Sequence, residues 1–266
     1  MEIHEALILG LIQALTEWLP LSSKTMVVFT YIKLLGGSPE KILPILIYLH
    51  AGTLLASIIY FRKDISNLAT SMIASRKILD GKQGFLASSL LFTGLIGLPL
   101  LAAEKYFFPM FDASALLFLM GAGLVATGFL LTTQNKNRWR DSSSANWRDG
   151  VVTGALQGLS VLPGVSRAGT TTAALIWRGF DANSAFRLSF LLSIPTVFAA
   201  EMLIWAAEGS NWPMPASDGA LLILSSFVFG YLTIDSLLKI AQRMNVAWLA
   251  FLFGIMMLLF GLLGIG

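Results

Sequence analysis

Six apolar runs constrain this chain more than any other feature: 42–61, 85–103, 113–132, 185–207, 219–240 and 246–265. An α-helix needs about 20 such residues to cross a bilayer. Six of them cannot all be buried inside one water-soluble domain of 266 residues. Charge points the same way, because only 12% of residues are Asp, Glu, Lys or Arg, about half of what soluble domains carry. A soluble globular enzyme is excluded, which leaves a single integral membrane domain over 1–266 embedded in a lipid bilayer. The net charge of +3 is spread through short connections, a pattern that orients membrane proteins rather than binding nucleic acid. Cysteine is absent, so disulfides, thiolate nucleophiles and cysteine metal sites are excluded. Glu2 and Glu5 stand where a secretory signal would be basic, so no cleaved signal peptide is expected.

The runs fall three and three around a polar stretch, 133–149, read as a cytoplasmic linker. Ahead of each trio lies a pair of shorter apolar segments, 4–18 with 22–34 and 150–162 with 166–179. Each reaches only about 20–22 Å against a hydrocarbon core of about 30 Å. Such pairs fit re-entrant hairpins, tolerated in a membrane only where protein or a wet cavity covers their backbone.

The two pairs also resemble each other. Gly10, Gln13, Leu15, Leu19, Pro20, Ser23 and Lys24 read beside Gly154, Gln157, Leu159, Leu162, Pro163, Ser166 and Arg167, with one gap after Thr16 and Ser160. Pro20 to Pro163, Ser23 to Ser166 and Lys24 to Arg167 share an offset of 143. Three spans is an odd number, so the second repeat must lie upside down. The expected fold is therefore an all-α polytopic membrane protein. It has six transmembrane helices plus two re-entrant helix hairpins in an inverted-topology repeat, about 1–132 and 150–266. Arg62, Lys63, Arg76, Lys77, Lys82, Lys136, Arg138, Arg140, Arg148, Lys239 and Arg243 collect on one side, with only Lys105 in the loops 104–112 and 208–218 opposite. The positive-inside rule then puts both termini outside, with Lys33 and Lys41 against the trend. The tips at Pro20 and Pro163 are expected to meet near mid-membrane.

Discontinuous helices of inverted repeats aim their N-termini at anionic groups. Here the second helix of each pair starts at a capping-type residue, Ser22 or Ser23 in one and Ser166 in the other. Lys24 and Arg167 stand in the first turns of those helices, where the dipole disfavours a cation. A shared anion resolves that conflict, and so does an Arg167–Glu17 pair that merely fills the bundle. Gly164 and Gly169 flank the arginine and would let a ligand approach the backbone. Gln13 and Glu17, four apart, share a helix face. A carboxylate beside an anion site suits a divalent cation or removal of a proton, both part of phosphoryl transfer, with a neighbouring serine as nucleophile. His50 is read either as a packing residue or as an accessory base. Asp235 and Lys239 read as an ordinary helix pair, Glu201 as lining an outer cavity or snorkelling outward, and Gly121 and Gly123 as helix-packing residues.

At these residues the chain resembles the undecaprenyl-diphosphate phosphatase, or bacitracin-resistance, family. Its signatures are matched by Gln13-Ala-Leu-Thr-Glu17-Trp-Leu-Pro-Leu-Ser22-Ser23, by Pro163-Gly164-Val-Ser166-Arg167-Ala168-Gly-Thr-Thr171 and by His50-Ala-Gly-Thr-Leu-Leu-Ala56. The resemblance implies a phosphatase of the plasma membrane that removes the terminal phosphate of a polyprenyl diphosphate, recycling a lipid carrier for envelope glycans. It implies a site open to the outer face, assisted by Mg²⁺ or Ca²⁺. Glu17 would be the acid/base or metal carboxylate, with Gln13 as a second metal ligand. Ser23 would be the nucleophile and Arg167 a catalytic cation. Ser22, Lys24, Gly164, Ser166 and Thr171 would bind substrate. Two positions depart from the family pattern: Met26 stands where a histidine is common, and Ala168 replaces a serine.

The same layout suits a transporter of polyprenyl phosphate or another anion, and small residues on several spans would allow a homodimer. Hydrolysis is the preferred reading, because simple anion passage needs neither Glu17 nor Ser23. The two departures leave Lys24 to supply the missing electrostatic contact. Lys24→Ala is therefore expected to raise KM for a diphosphate substrate several-fold, and unchanged turnover and KM would remove that role.

Overall fold

The structure is a computed structural model that describes residues 1–74, 81–107, 110–134, 139–208, 214–243 and 247–264. Among these residues the chain is helical, apart from an isolated bridge between Arg140 and Phe180. The first half contains α1 (Ile3–Trp18), α2 (Ser23–Phe29), α3 (Ile42–Tyr60), α4 (Arg62–Ala74), α5 (Gly81–Phe107) and α6 (Ala113–Thr132). The second contains α7 (Trp147–Gly158), α8 (Arg167–Trp177), α9 (Ala182–Glu208), α10 (Ala216–Arg243) and α11 (Ala247–Leu262). A turn of π-helix, Thr30–Leu34, prolongs α2.

Local chemistry fixes where these helices start. Asp112 caps α6 through Ala115 N–H at 2.7 Å, Asn146 caps α7 through Arg148 N–H at 3.0 Å, and Asp181 receives Ser184 N–H at 3.0 Å ahead of α9. Each side-chain oxygen satisfies an amide that has no partner inside its helix.

Helix pairs cross between the halves. The first helix, α1, packs along α10, and α7 packs along α5, while α3 also lies on α10 and α6 on α11. In lipid no hydrophobic gain separates helix–helix from helix–tail contact, so close approach and polar bonds hold the seams. A Cβ at Gly10 would collide with Ser225 of α10, whose hydroxyl donates to the Ala6 carbonyl at 2.8 Å. A Cβ at Gly154 would collide with Ser89 of α5, and the adjacent Ser88 donates to the Trp147 carbonyl at 2.8 Å.

The open ends of the two short pairs are anchored separately. Glu2 and Glu5 of α1 and residues 35–38 after α2 line one cavity of about 440 Å³ with Lys41 and Asp218, beside the starts of α3 and α10. Past the far end of α3, Arg187 near the start of α9 reaches Asp64 at 2.5 Å. Ser184, also at the start of α9, takes the Ser142 amide at 3.0 Å. The second pair is closed at its base by Asp149, which is fully buried. Arg140 donates to both its oxygens, at 3.0 and 2.7 Å, and Arg178 to one at 2.8 Å. Arg140 also holds the Arg178 carbonyl at 2.8 Å, so the first turn of α7 and the last of α8 share one network.

The observed helices meet the sequence expectations in part. Among the described residues, five helices are long and apolar enough to cross a membrane: Pro39–Tyr60, Gly81–Ala103, Ala113–Thr132, Ala182–Ala207 and Ala216–Arg243. The sixth expected span, 246–265, forms α11 with 16 residues, about 24 Å of helix. Within the stretch 62–84, expected as a loop, Arg62–Ala74 folds as α4 and α5 starts at Gly81. Asp235 pairs with Lys239 as expected, at 2.6 Å, and also accepts from Tyr60 at 2.8 Å. Arg76, Lys77, Lys136 and Arg138 lie outside the described residues.

Burial alone would push the Asp149 carboxyl up, but the hydrogen bonds from Arg140 and Arg178 outweigh it and hold it below the usual carboxylate range. A depressed folded pKa contributes stability that is complete above the unfolded value and lost as pH falls through the folded one. Asp149→Asn is expected to cost about 2–3 kcal/mol at neutral pH, read as a lower Tm in detergent. The variant should also lose less stability than the parent on acidification.

Candidate active site

The C-terminal turn of α1 and the N-terminal turn of α8 meet inside the bundle. Pro20 lacks an N–H and stops α1, and Pro163-Gly164 separates α7 from α8. Glu17 is buried, 8% exposed, and its Oε1 is ion-paired with Arg167 Nη2. Its Oε2 accepts the Ser23 hydroxyl at 2.6 Å and the Gln13 amide at 3.3 Å. Gln13 also reaches Thr53 of α3 at 3.4 Å. His50 Nδ1 lies 2.7 Å from the Leu46 carbonyl, to which it donates, while Nε2 stands 3.8 Å from Glu17 Oε2. Burying an isolated charge costs several kcal/mol, so Glu17 and Arg167 hold each other in place.

Six buried side-chain polar atoms stay without a hydrogen-bond partner among the described residues, and two of them, Arg167 Nη1 and Gln13 Oε1, belong to the residues bonded to Glu17. One is a cationic donor and the other an oxygen ligand, and they flank the same carboxylate. That combination suits an anion on the arginine and a hard cation beside Gln13 and Glu17. No cluster of three or more His, Cys, Asp or Glu side chains is found among the described residues, so such an ion would need phosphate oxygens to complete its shell.

Other expected site residues adjoin these or make contacts of their own. Ser22 occupies the N-cap position of α2 but makes no side-chain cap; its hydroxyl instead accepts from Thr25 at 2.9 Å. Lys24 stands in the first turn of α2 and is half-buried. Ser166 does cap α8, through Gly169 N–H at 3.1 Å. Its hydroxyl donates to the Leu21 carbonyl of the first tip at 3.0 Å. Thr171 is fully buried, with its hydroxyl between the Arg167 carbonyl at 2.8 Å and Ser189 at 2.5 Å. Gly164 has φ +80, and an added Cβ would strike the Met120 carbonyl of α6. Its absent side chain gives room to α6. Gly123 likewise gives room to the Pro163 carbonyl, and Gly121 to α11. Met26 packs in one apolar cluster with Phe29, Leu117 and Met120. Glu201 is half-buried in α9. Sequence reasoning gave Thr53 no role although it lies in the His50–Ala56 signature, and it missed Thr127 as a support of this site because a lone threonine inside an apolar run carries no motif.

Comparison with known proteins gives the family. The family model described as bacitracin resistance protein BacA matches residues 6–263. The chain belongs to the BacA family. Proteins named undecaprenyl-diphosphatase are similar along nearly their whole length. That of Methanococcoides burtonii is 36% identical over 265 residues, covering 97% of this chain and 98% of its own. That of Methanothrix thermoacetophila is 34% identical over 259 residues, with 97% and 96% covered. That of Methanopyrus kandleri is 34% identical over 265 residues, with 95% and 94% covered.

If Gly164 serves packing alone, Gly164→Ala should destabilise by about 1–2 kcal/mol from its left-handed φ, with further loss from the α6 contact. The expected reading is a lower Tm with KM unchanged. A raised KM at unchanged Tm would make Gly164 a ligand contact instead.

Proposed function

We propose that this BacA-family chain is an integral membrane phosphatase that hydrolyses undecaprenyl diphosphate to the monophosphate and phosphate. The observation that carries the reading is Ser23 donating at 2.6 Å to a carboxylate that is also paired with Arg167, whose Nη1 stays buried and unpartnered. A hydroxyl bonded to a base is an activated nucleophile, and a preorganised guanidinium stabilises charge on a phosphoryl group in transfer. Ser23 Oγ attacks the terminal phosphorus as its proton passes to Glu17. The bridging P–O bond breaks and undecaprenyl monophosphate leaves with the electron pair. Water then cleaves the phosphoserine and restores the serine. A divalent cation, Mg²⁺ or Ca²⁺, held by Glu17 and Gln13 Oε1, would neutralise charge on the diphosphate. Lys24 and the Arg167 guanidinium would steer the anionic head group to the tips.

The finer architecture belongs to the same proposal. The α1–α2 and α7–α8 pairs are re-entrant, entering from opposite faces, and α11 completes six crossings. The anchoring of the two open ends beyond opposite ends of α3 supports this. So does the exchange of partners, α1 on α10 and α7 on α5. Gln13 bonds Thr53 while Gln157 bonds Thr196 at 2.9 Å, and Thr53 and Thr196 share the 143-residue offset. Both termini then lie outside the plasma membrane and the site opens to the outer face. A homodimer is compatible with this arrangement, although Gly121 and Gly254 are used between α6 and α11 of one chain.

Purified protein in detergent is expected to release phosphate from undecaprenyl diphosphate with added Mg²⁺. Glu17→Gln, Ser23→Ala and Arg167→Ala should each lower turnover by about 100-fold or more. Transport of a polyprenyl phosphate into liposomes with no phosphate release would favour the transporter instead.

A further inference from the structure

The hydroxyl of Ser166 has its proton committed. It donates to the Leu21 carbonyl and accepts Gly169 N–H, in a side chain that is 1% exposed. A serine has one O–H to give, and phosphate oxygens of an ionised ester take donors. Ser166 therefore cannot hold a phosphate through that hydroxyl without releasing the first tip two residues before Ser23.

Its backbone is equally committed. Ser166 N–H donates at 3.1 Å to Thr127 Oγ1 of α6, and that hydroxyl in turn donates to the Gly123 carbonyl at 3.0 Å. Thr127 is fully buried. Its methyl group lies against the next turn of α8, because a Cβ at Gly169 would come within 2.7 Å of Thr127 Cγ2. One threonine thus fixes the start of α8 both by a hydrogen bond and by shape. The chain of contacts runs from α6 through Thr127 and Ser166 to Leu21, with Arg167 next to Ser166 and Ser23 two residues beyond Leu21.

We infer that Thr127 and Ser166 are positioning residues: together they pin the Arg167 tip to α6 and to the Ser23 tip, and neither is a phosphate ligand. The inference rests on the hydrolase reading for its kinetic consequence, since the pin acts by keeping Arg167 in register with the phosphorus attacked by Ser23. A misplacement of about 1 Å at such a centre costs up to about 100-fold, and it falls on kcat rather than on binding.

Thr127→Val keeps the shape and removes the acceptor, leaving Ser166 N–H buried and unpaired. It is expected to lower kcat about 10-fold or more, with KM within twofold, while Thr127→Ser retains the parental kcat. Ser166→Ala should show the same kcat-selective loss, and the double variant should lose little more than the worse single one, because both remove one pin. A rise in KM for Ser166→Ala with Thr127→Val unaffected would overturn the inference and make Ser166 a substrate ligand. Full activity in both variants would overturn it as well. Hydrogen–deuterium exchange gives a reading independent of catalysis. Amides of 163–170 should exchange at least about 10-fold faster in Thr127→Val and in Ser166→Ala than in the parent or Thr127→Ser, and unchanged exchange would overturn the pin. Failure of the parent protein to release phosphate would remove the hydrolase reading, and the exchange experiment would still decide the pin.

Discussion

The buried pair between Glu17 and Arg167 is the interaction on which the rest of this molecule depends. The two residues are 150 positions apart and belong to two short helix pairs, neither long enough to cross a bilayer. An uncompensated charge at either tip would cost several kcal/mol, so each tip is admissible only where the other supplies its counterion. A pair of well-packed apolar residues would serve stability as well or better. What the ion pair adds is a carboxylate held under a serine hydroxyl with an unspent guanidinium nitrogen beside it.

The surrounding helices are built to bring those tips together. Lipid gives little reason for apolar helices to associate, and the seams rely on small residues and hydroxyls instead. Ser225 grips α1 through the Ala6 carbonyl and Ser88 grips α7 through the Trp147 carbonyl. The base of the second pair is closed by the Asp149 network. Loosening either seam would shift a tip along its own axis, and the distance between Ser23 and Arg167 would change with it.

Much of this was legible in the sequence, for identifiable reasons. Apolar run length revealed most of the spanning helices, because the bilayer imposes a length on them. The Pro20 and Pro163 breaks marked the tips, and the scarcity of charge in apolar segments singled out Glu17 and Arg167. Other features left no such trace. The α4 helix follows the end of α3 directly at Arg62, in a polar stretch that reads as a loop. Gly164 and Thr171 sit within the signature, where spacing suggests a ligand, yet their contacts are with α6 and with Ser189. Thr127 is one hydroxyl in an apolar span, and only its distance to Ser166 distinguishes it from threonines that bond their own helix.

The sequence match between the halves also explains why the site has a direction. Ser23 and Ser166 occupy matched positions at a 143-residue offset, yet one donates to a carboxylate and the other to a main-chain carbonyl. The difference traces to a single gap: after Thr16 the first half has Glu17, whereas after Ser160 the second half goes straight to Val161. Without a carboxylate of its own, the second tip has no base to draw the proton from Ser166, and the backbone of the first tip takes it instead. At the next position the second half has Arg167, whose planar fork can bind Glu17 and a phosphate oxygen together. On the proposed mechanism one half holds base and nucleophile, and the other holds the cation and the pin. Two sequence-matched tips that share like residues thus present only one serine to a carboxylate.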